Sequence, residues 1–269
     1  MIRCFTRLIL LLFFLSSPGF AQNTITAKEL RKLNQAKKRF VDPHSIFICG
    51  GIGFFQNQFF GTSPGLHKDH TVTGTFYGKV ELGLKKGYFV ETGLERDKYI
   101  ATYQYSNFTG LGGYFFPRAK LSLGLSKRIV VGKYAYNLIN IHAGLGISFH
   151  HNRTGSGGSG YTASITEYFG SYECYYDRAI VFPTLYLVVE KDFQLLRDLY
   201  ISLSYRYDQG FRRVAEVTGA YTTQPYTIPS VPFHIWINGL AQTLNFGLKY
   251  KIVPCKQGKF KEDRDKVSH

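Results

Sequence analysis

Five carboxylates (Glu81, Glu91, Glu95, Glu190 and Asp208) and five cations (Lys79, Arg118, Lys120, Arg206 and Lys249) are spaced so that two kinds of chemistry are open to them. Acids and bases within reach of one another serve either as proton-transfer partners or as buried ion pairs that hold a fold together. Their positions along the chain decide between the two. In "VELGLKKGYFVETGLE", Val80 to Glu95, the glutamates share alternate positions with Gly83, Phe89 and Gly93. Val80, Leu82, Leu84, Tyr88, Val90, Thr92 and Leu94 take the remaining positions, and Lys85-Lys86-Gly87 interrupts the run as a turn. A period of two is the mark of a strand with two unlike faces. Here one face is charged and the other is hydrocarbon.

Other reactive residues form no positioned set. Ser148 and His150 flank Phe149, a spacing that places a nucleophile beside a base. His67, His70, His150 and His151 fall in expected surface connections. "GSGGSG" at 155–160 lacks the Lys-Ser/Thr and the following helix of a phosphate cradle. No C-x-x-C or His/Cys ligand spacing occurs, so no metal and no cofactor are expected. Cys49 and Cys255 belong to the first strand and the tail and would approach if a barrel closes there, whereas Cys174 falls in a long connection. The compartment permits a disulfide between the first two if the geometry fits.

The alternation recurs along the chain. In "SIFICGGIGFF" the apolar face holds Ile46, Ile48, Ile52 and Phe54. In "TFYGKVELGL" Phe76, Val80, Leu82 and Leu84 oppose Tyr77, Lys79 and Glu81, and Tyr88–Tyr103 continues the pattern. In "PRAKLSLGLSK" Leu121, Leu123 and Leu125 oppose Arg118 and Lys120. In "LINIHAGLGISF" Ile141, Leu145 and Ile147 oppose Asn140, His142, Gly144 and Ser148. "VFPTLYLVVE", "LYISLSYRYD" and "LAQTLNFGLKYKI" set Thr184, Tyr186 and Glu190, then Arg206 and Asp208, then Asn245 and Lys249, against leucines, valines and tyrosines. The reading is all-β: an eight-stranded antiparallel transmembrane β-barrel over residues 45–252.

The chain opens with "MIRCFTRLILLLFFLSSPGFAQ". Arg3 and Arg7, an apolar run from Leu8 to Leu15 and a small-residue site at Ala21 have the three-part form of a secretory signal peptide, residues 1–21. Residues 22–44 read as a basic linker holding a short N-terminal helix over 26–40, with Thr26 and Glu29 as a capping box. That helix is either an interfacial anchor for anionic headgroups or a solvated linker. Residues 253–269 form a charged tail. The leader, the helix and the tail hold more than half of the net charge of +15, and no base-stacking or groove-reading motif accompanies it, so nucleic acid is excluded as a partner.

A soluble barrel and a membrane barrel share this periodicity. They differ in which face turns outward and in the connections. Short turns are expected at 85–87, 128–134 and 191–197, and long loops at 55–72, 104–113, 150–178 and 209–238. Short turns at one end and long loops at the other are the transmembrane pattern, and ten-residue strands suffice to cross at a tilt. A lipocalin-like soluble barrel is the alternative. If lipid covers the apolar face, the ten charges point into a lumen that eight strands make just wide enough for side chains to fill. Inward glycines then leave room for the long Arg and Lys side chains.

With its signal peptide, its eight alternating strands, its short and long connections and a terminal "LNFGLKYKI", the chain resembles the small outer-membrane β-barrel family, the OmpA/OmpX-like proteins. The tail after that strand departs from the family, whose members often end at the terminal aromatic. The resemblance implies an outer-membrane location. It implies outer-membrane lipids, lipopolysaccharide and the barrel assembly machinery as partners, together with an unidentified extracellular ligand. The function it implies is structural or adhesive, through long extracellular loops over a plugged lumen. The alternatives are a narrow channel for small solutes and a lipid A-modifying enzyme. Against the enzyme, the His-x-Ser pair of the deacylases and the Asp-Ser dipeptide of the palmitoyltransferase are both absent from this sequence.

Overall fold

A computed structural model describes residues 45–62, 66–69, 72–105, 111–130, 138–150, 154–164, 167–177, 181–196, 198–222 and 231–252. The leader, the basic helix, the charged tail and Cys255 lie outside the described residues. Twelve strands form one sheet: β1 (Ile46–Thr62), β2 (Leu66–Asp69), β3 (Thr73–Gly83), β4 (Tyr88–Tyr105), β5 (Leu111–Val130) and β6 (Leu138–His150) come first. They are followed by β7 (Thr154–Ser164), β8 (Glu167–Asp177), β9 (Val181–Gln194), β10 (Leu199–Gly210), β11 (Ala215–Thr222) and β12 (Val231–Ile252).

Eight of these close on themselves. The order runs β1-β3-β4-β5-β6-β9-β10-β12, and β12 returns to β1 in antiparallel register from Ile46↔Ile252 to Thr62↔His234. Closure leaves these eight without an edge in the body of the barrel. Both ends of the barrel sequence meet at the rim that carries the tight turns, called here the lower rim. At that rim Lys86 (φ 59°) and Gly87 (φ 74°) adopt left-handed backbone to reverse the chain between β3 and β4.

The hydrocarbon parity faces out. Phe76 is 67% exposed, Leu123 63% and Leu145 62%, and Ile52, Phe54, Leu94, Leu121, Leu187 and Leu248 are exposed beside them. The charged parity faces in and is buried.

The upper rim departs from the sequence reading. The stretches expected as loops at 55–72, 150–178 and 209–238 are largely strand, and only residues 106–110 separate β4 from β5. β12 is 22 residues long and changes partner along its length. Its lower part pairs with β10 from Leu199↔Tyr250 to Asp208↔Ala241, and its upper part pairs with β11 from Ala215↔Ile237 to Tyr221↔Val231. β11 then pairs with β8, and β8 with β7, so that the sheet continues above the barrel through the upper part of β12. The exchange of partners falls where Gly239 (φ 73°) meets Gly210. A Cβ on Gly210 would stand 2.4 Å from the Asn238 carbonyl, so the crossing needs glycine. Alternation did not reveal β7, β8 and β11 because small and polar residues interrupt the apolar positions within these strands; "TGSGGSGYTAS" is the extreme case.

A smaller repair occurs between β2 and β3, both of which pair with β4 but leave a gap near Ile100. The Asn57 side chain fills it. Its amide donates to the Ile100 carbonyl at 2.9 Å, and its oxygen accepts from the Ile100 N–H at 2.8 Å, in place of the missing strand.

Candidate functional site

The interior is layered along the barrel axis. At the lower rim Phe47 packs edge-on against Phe89 (5.9 Å between centroids) and tilts against Tyr200 (6.1 Å). The Arg128 guanidinium lies 3.8 Å and 3.7 Å from the Phe47 and Phe89 ring centres and pairs with Glu81. Above this floor, Lys79 of β3 reaches across the lumen to Glu190 of β9 at 2.7 Å and also meets Glu81 at 2.9 Å. Lys249 pairs with Glu190, with Asp192 at 2.9 Å and with Glu81 at 3.3 Å. Asn140 ties the two acids of β9 together, donating to Glu190 at 2.8 Å and to Asp192 at 2.7 Å. Glu91 lies 2.5 Å from His142 Nδ1 and accepts from the Tyr186 hydroxyl at 2.8 Å.

A second charged layer follows. Lys120 of β5 pairs with Glu95 at 2.6 Å and with Asp208 of β10 at 2.9 Å. Arg206 stacks 4.1 Å over Tyr186 and bridges Asp208 (3.0 Å) and Glu95 (3.4 Å). Arg118 donates through Nε to Asp97 at 2.5 Å and through Nη1 to the Tyr99 hydroxyl at 2.8 Å, while its guanidinium lies 4.5 Å from the Tyr99 ring centre. The top layer is apolar: Phe55, Tyr99, Phe116 and Phe182 from the barrel meet Val214, Val217, Phe233, Ile235 and Ile237 from β11, β12 and the segment leading into β11. The upper sheet therefore turns its hydrocarbon side over the mouth of the barrel.

All ten charged residues singled out from the sequence lie in the barrel wall with their side chains inward and take part in these ion pairs. Sequence reasoning omitted Asp97, Arg128, His142 and Asp192 as members. The signal was parity carried two residues further. Asp97 follows Glu95 on the same face, Asp192 follows Glu190, and Arg128 continues Arg118 and Lys120 into the stretch expected as a turn. The five-to-five balance is thereby revised. The ion-paired interior holds seven carboxylates and six Lys or Arg side chains with His142, and Lys251 is buried at the lower rim besides.

The glycines serve a different residue type from the one expected. A Cβ on Gly124 or Gly144 would lie 2.1 Å or 2.6 Å from the Tyr186 hydroxyl, and one on Gly247 would lie 2.1 Å from that of Tyr77. These positions make room chiefly for tyrosines. Gly146 is different: a Cβ there would lie 2.7 Å from the Thr184 hydroxyl and 3.3 Å from Lys120 Cδ.

This arrangement is one of ion pairs and hydrogen bonds among side chains. Glu81, Glu91 and His142 bring ligand atoms within 4.8 Å of one another. However, Lys79 stands 2.9 Å from Glu81 and 4.0 Å from Glu91, so a protein cation already lies beside the two carboxylates. Ser148 is wholly buried and accepts from Arg118 at 3.4 Å, which assigns it to the upper ion-pair layer. Cys49 is a buried free thiol facing the lumen, 3.8 Å from the Tyr77 hydroxyl. Cys174 lies in β8, and His67 lies in β2.

Fold and interior together define a class: a closed eight-stranded antiparallel barrel, hydrocarbon outside and ion-paired within. No protein-family model and no curated protein matches the chain. Among solved structures it is similar to the outer membrane protein OprG from Pseudomonas aeruginosa, at 8% identity over 77% of this chain and 96% of that one, with a TM-score of 0.45. A major outer membrane protein from Thermus thermophilus is similar at 14% identity, over 77% and 98% of the two chains, with a TM-score of 0.43. Ail, the attachment invasion locus protein of Yersinia pestis, is similar at 12% identity, over 78% and 99%, with a TM-score of 0.34. At these identities the likeness concerns the fold alone.

Proposed function

We propose that the protein is an outer-membrane barrel that presents its upper sheet at the cell surface as a binding platform, over a lumen closed to solutes. The outward hydrocarbon of all eight strands supports membrane insertion, since water would have to cover Phe76, Leu123 and Leu145 in any soluble form. Residues 1–21 would direct export and be removed. The barrel assembly machinery would insert the chain, and lipopolysaccharide would surround its upper half. The strand count and the filled interior support grouping it with the OmpA/OmpX-like barrels.

The observation that carries the binding reading is the free edge of β7. The upper sheet ends in this 11-residue strand, which among the described residues pairs only with β8. Edges are normally protected by charge, proline or brevity, and "TGSGGSGYTAS" has neither a charge nor a proline. A row of unpaired backbone groups on a cell surface is suited to receive an extended peptide as an added strand.

The test is selection of a displayed random-peptide library against the protein in lipid nanodiscs. Peptides that bind should protect the amides of Thr154–Ser164 from hydrogen exchange, and the double variant Gly157→Lys, Ser159→Lys should lose them. Binders that protect other segments, or that tolerate the lysines, would refute the edge as the site. Large ohmic conductance from the wild type in planar bilayers would replace this reading with that of a channel.

A further inference from the structure

The lower rim carries cations that the ion-paired interior does not use. Lys85 and Lys86 form the turn between β3 and β4, and both are exposed. Lys127 lies beside them on the outward face of β5, opposite Tyr88. Its ammonium donates to the Lys86 carbonyl at 2.5 Å and sits 3.8 Å from the centre of the Tyr88 ring. An ammonium has three donors, so two remain. Lys191 extends the set two strands away. It stands on the outward face of β9, directly opposite Ile139 and Leu203, and its ammonium lies 5.3 Å from the Phe193 ring centre. No ion pair joins any of the four to a carboxylate among the described residues.

Two features say what these cations face. The first is the hydrocarbon around them. Leu84, Leu125 and Ile129 are exposed on the same outward surface, Leu125 and Ile129 on either side of Lys127 along β5. The partner therefore joins an anion to hydrocarbon. A soluble anion would leave these side chains in water, whereas a lipid covers them. The second is the backbone of Lys86, the one non-glycine residue at positive φ (59°) among the described residues. That conformation favours glycine or asparagine. No contact of the Lys86 side chain among the described residues offsets the strain, and an external anion would.

We infer that the lower rim is a collar for anionic phospholipid, in which Lys85, Lys86 and Lys127 donate to the headgroup phosphate while the acyl chains lie along Leu125 and Leu123 above it. A zwitterionic headgroup brings an ammonium of its own, which the lysines repel, so the collar selects lipids of net negative charge. The inference rests on the membrane reading of the barrel. It adds to that reading a choice of lipid in the leaflet opposite the lipopolysaccharide.

The experiment uses the full chain refolded into phosphatidylcholine vesicles doped with phosphatidylglycerol that carries a photoactivatable headgroup. The same photoactivatable group on phosphatidylcholine is the reference. Crosslinks mapped by mass spectrometry should fall at 84–88 and 125–129. They should be roughly fivefold or more richer from phosphatidylglycerol, the effect of a single lysine at an anionic surface. Lys85→Ser, Lys86→Asn and Lys127→Met together should bring the two lipids level, and asparagine at 86 accepts the left-handed backbone, so the turn is kept. Equal crosslinking from the two lipids in the wild type overturns the proposal, whether or not the variant folds. A preference that survives in the folded variant overturns it too. Competition by soluble glycerol phosphate would replace the lipid with a soluble phosphate ligand. A chain that fails to float with the vesicles refutes the membrane reading itself, whereas one that floats and shows no preference refutes the collar alone.

Discussion

Arg118→Met is a direct test of the ion-paired interior. The substitution keeps an apolar stem beside Phe55 and Tyr99 and removes the guanidinium that lies 5.1 Å and 4.5 Å from their ring centres. It also takes away the partner that donates to Asp97, Tyr99 and Ser148. Arg118 and Asp97 are each 2% exposed, so Asp97 would be left as a buried carboxylate with its cation gone. Breaking a buried pair from one side costs ~3–5 kcal/mol. At a urea slope of ~1–3 kcal/mol/M, the unfolding midpoint should fall by on the order of 1–5 M. Adding Asp97→Asn removes the second charge. What is then lost is hydrogen bonding worth ~1–2 kcal/mol, so the double variant should recover a large part of the stability. The measurement is urea unfolding in lipid vesicles, followed by fluorescence of Trp236, the only tryptophan, with heat-dependent gel mobility as a second readout. If the single and double variants unfold at the same midpoint, the cost lies in packing and the ion-pair account of the lumen is wrong. A single variant within ~0.5 kcal/mol of wild type would place Arg118 in contact with water.

Gly144→Ala should destabilise by ~1–3 kcal/mol, because its Cβ would lie 2.4 Å from the Leu123 carbonyl and 2.6 Å from the Tyr186 hydroxyl; unfolding midpoints in the same vesicles check it, and a neutral effect would show that Tyr186 has room to move. In detergent-free buffer the protein should form no monodisperse folded species, and its β-type circular dichroism with heat-dependent mobility should appear only in detergent or lipid; a soluble folded monomer in sedimentation would refute the membrane reading. Replacing 152–176 by a short Gly/Asn turn removes β7 and nearly all of β8, so it should bare the edge of β11, leave heat-dependent mobility nearly intact and abolish peptide binding; a variant that cannot fold would make the upper sheet part of the barrel's stability.

The parity of the barrel strands was legible in the sequence because two environments, hydrocarbon and ion-paired interior, impose opposite demands on neighbouring residues. Glu91, Val90 and Thr92 illustrate it: no other arrangement buries the glutamate among cations while facing the valine outward. Asp97 and Asp192 escaped notice although they obey the same rule, because each lies past the point where the outward neighbours stay apolar, at Arg96 and Lys191. β7, β8 and β11 were illegible for a related reason. Their pairing is set by backbone hydrogen bonds with β12 and with one another, which leave no trace in residue type, and only a few of their residues, such as Ala215 and Val217, enter the apolar layer. The contact of Tyr186 with Gly124 and Gly144 joins three different strands, and only the barrel's register brings them together.

The charged interior does more than fill space. An eight-stranded barrel could be packed with leucine, and a buried ion pair replaced by hydrocarbon is often no less stable. Hydrocarbon on both faces, however, leaves the register almost undetermined, since a strand slipped by one residue would present an equally apolar surface outside. With Lys79, Glu81, Glu91, Glu95 and Glu190 inside, the same slip would turn charge outward on every strand it touched. Facing lipid, each displaced lysine or arginine costs ~2–4 kcal/mol at the bilayer midplane. The pairs also cross the axis, β3 to β9 through Lys79–Glu190 and β5 to β10 through Lys120–Asp208, so they constrain strands that share no hydrogen bonds. The backbone ladder fixes each strand relative to its neighbours, and the ion pairs fix it relative to the far wall. A barrel held in both ways fixes the position of β12, which continues beyond it into the upper sheet whose hydrocarbon side packs on the barrel mouth.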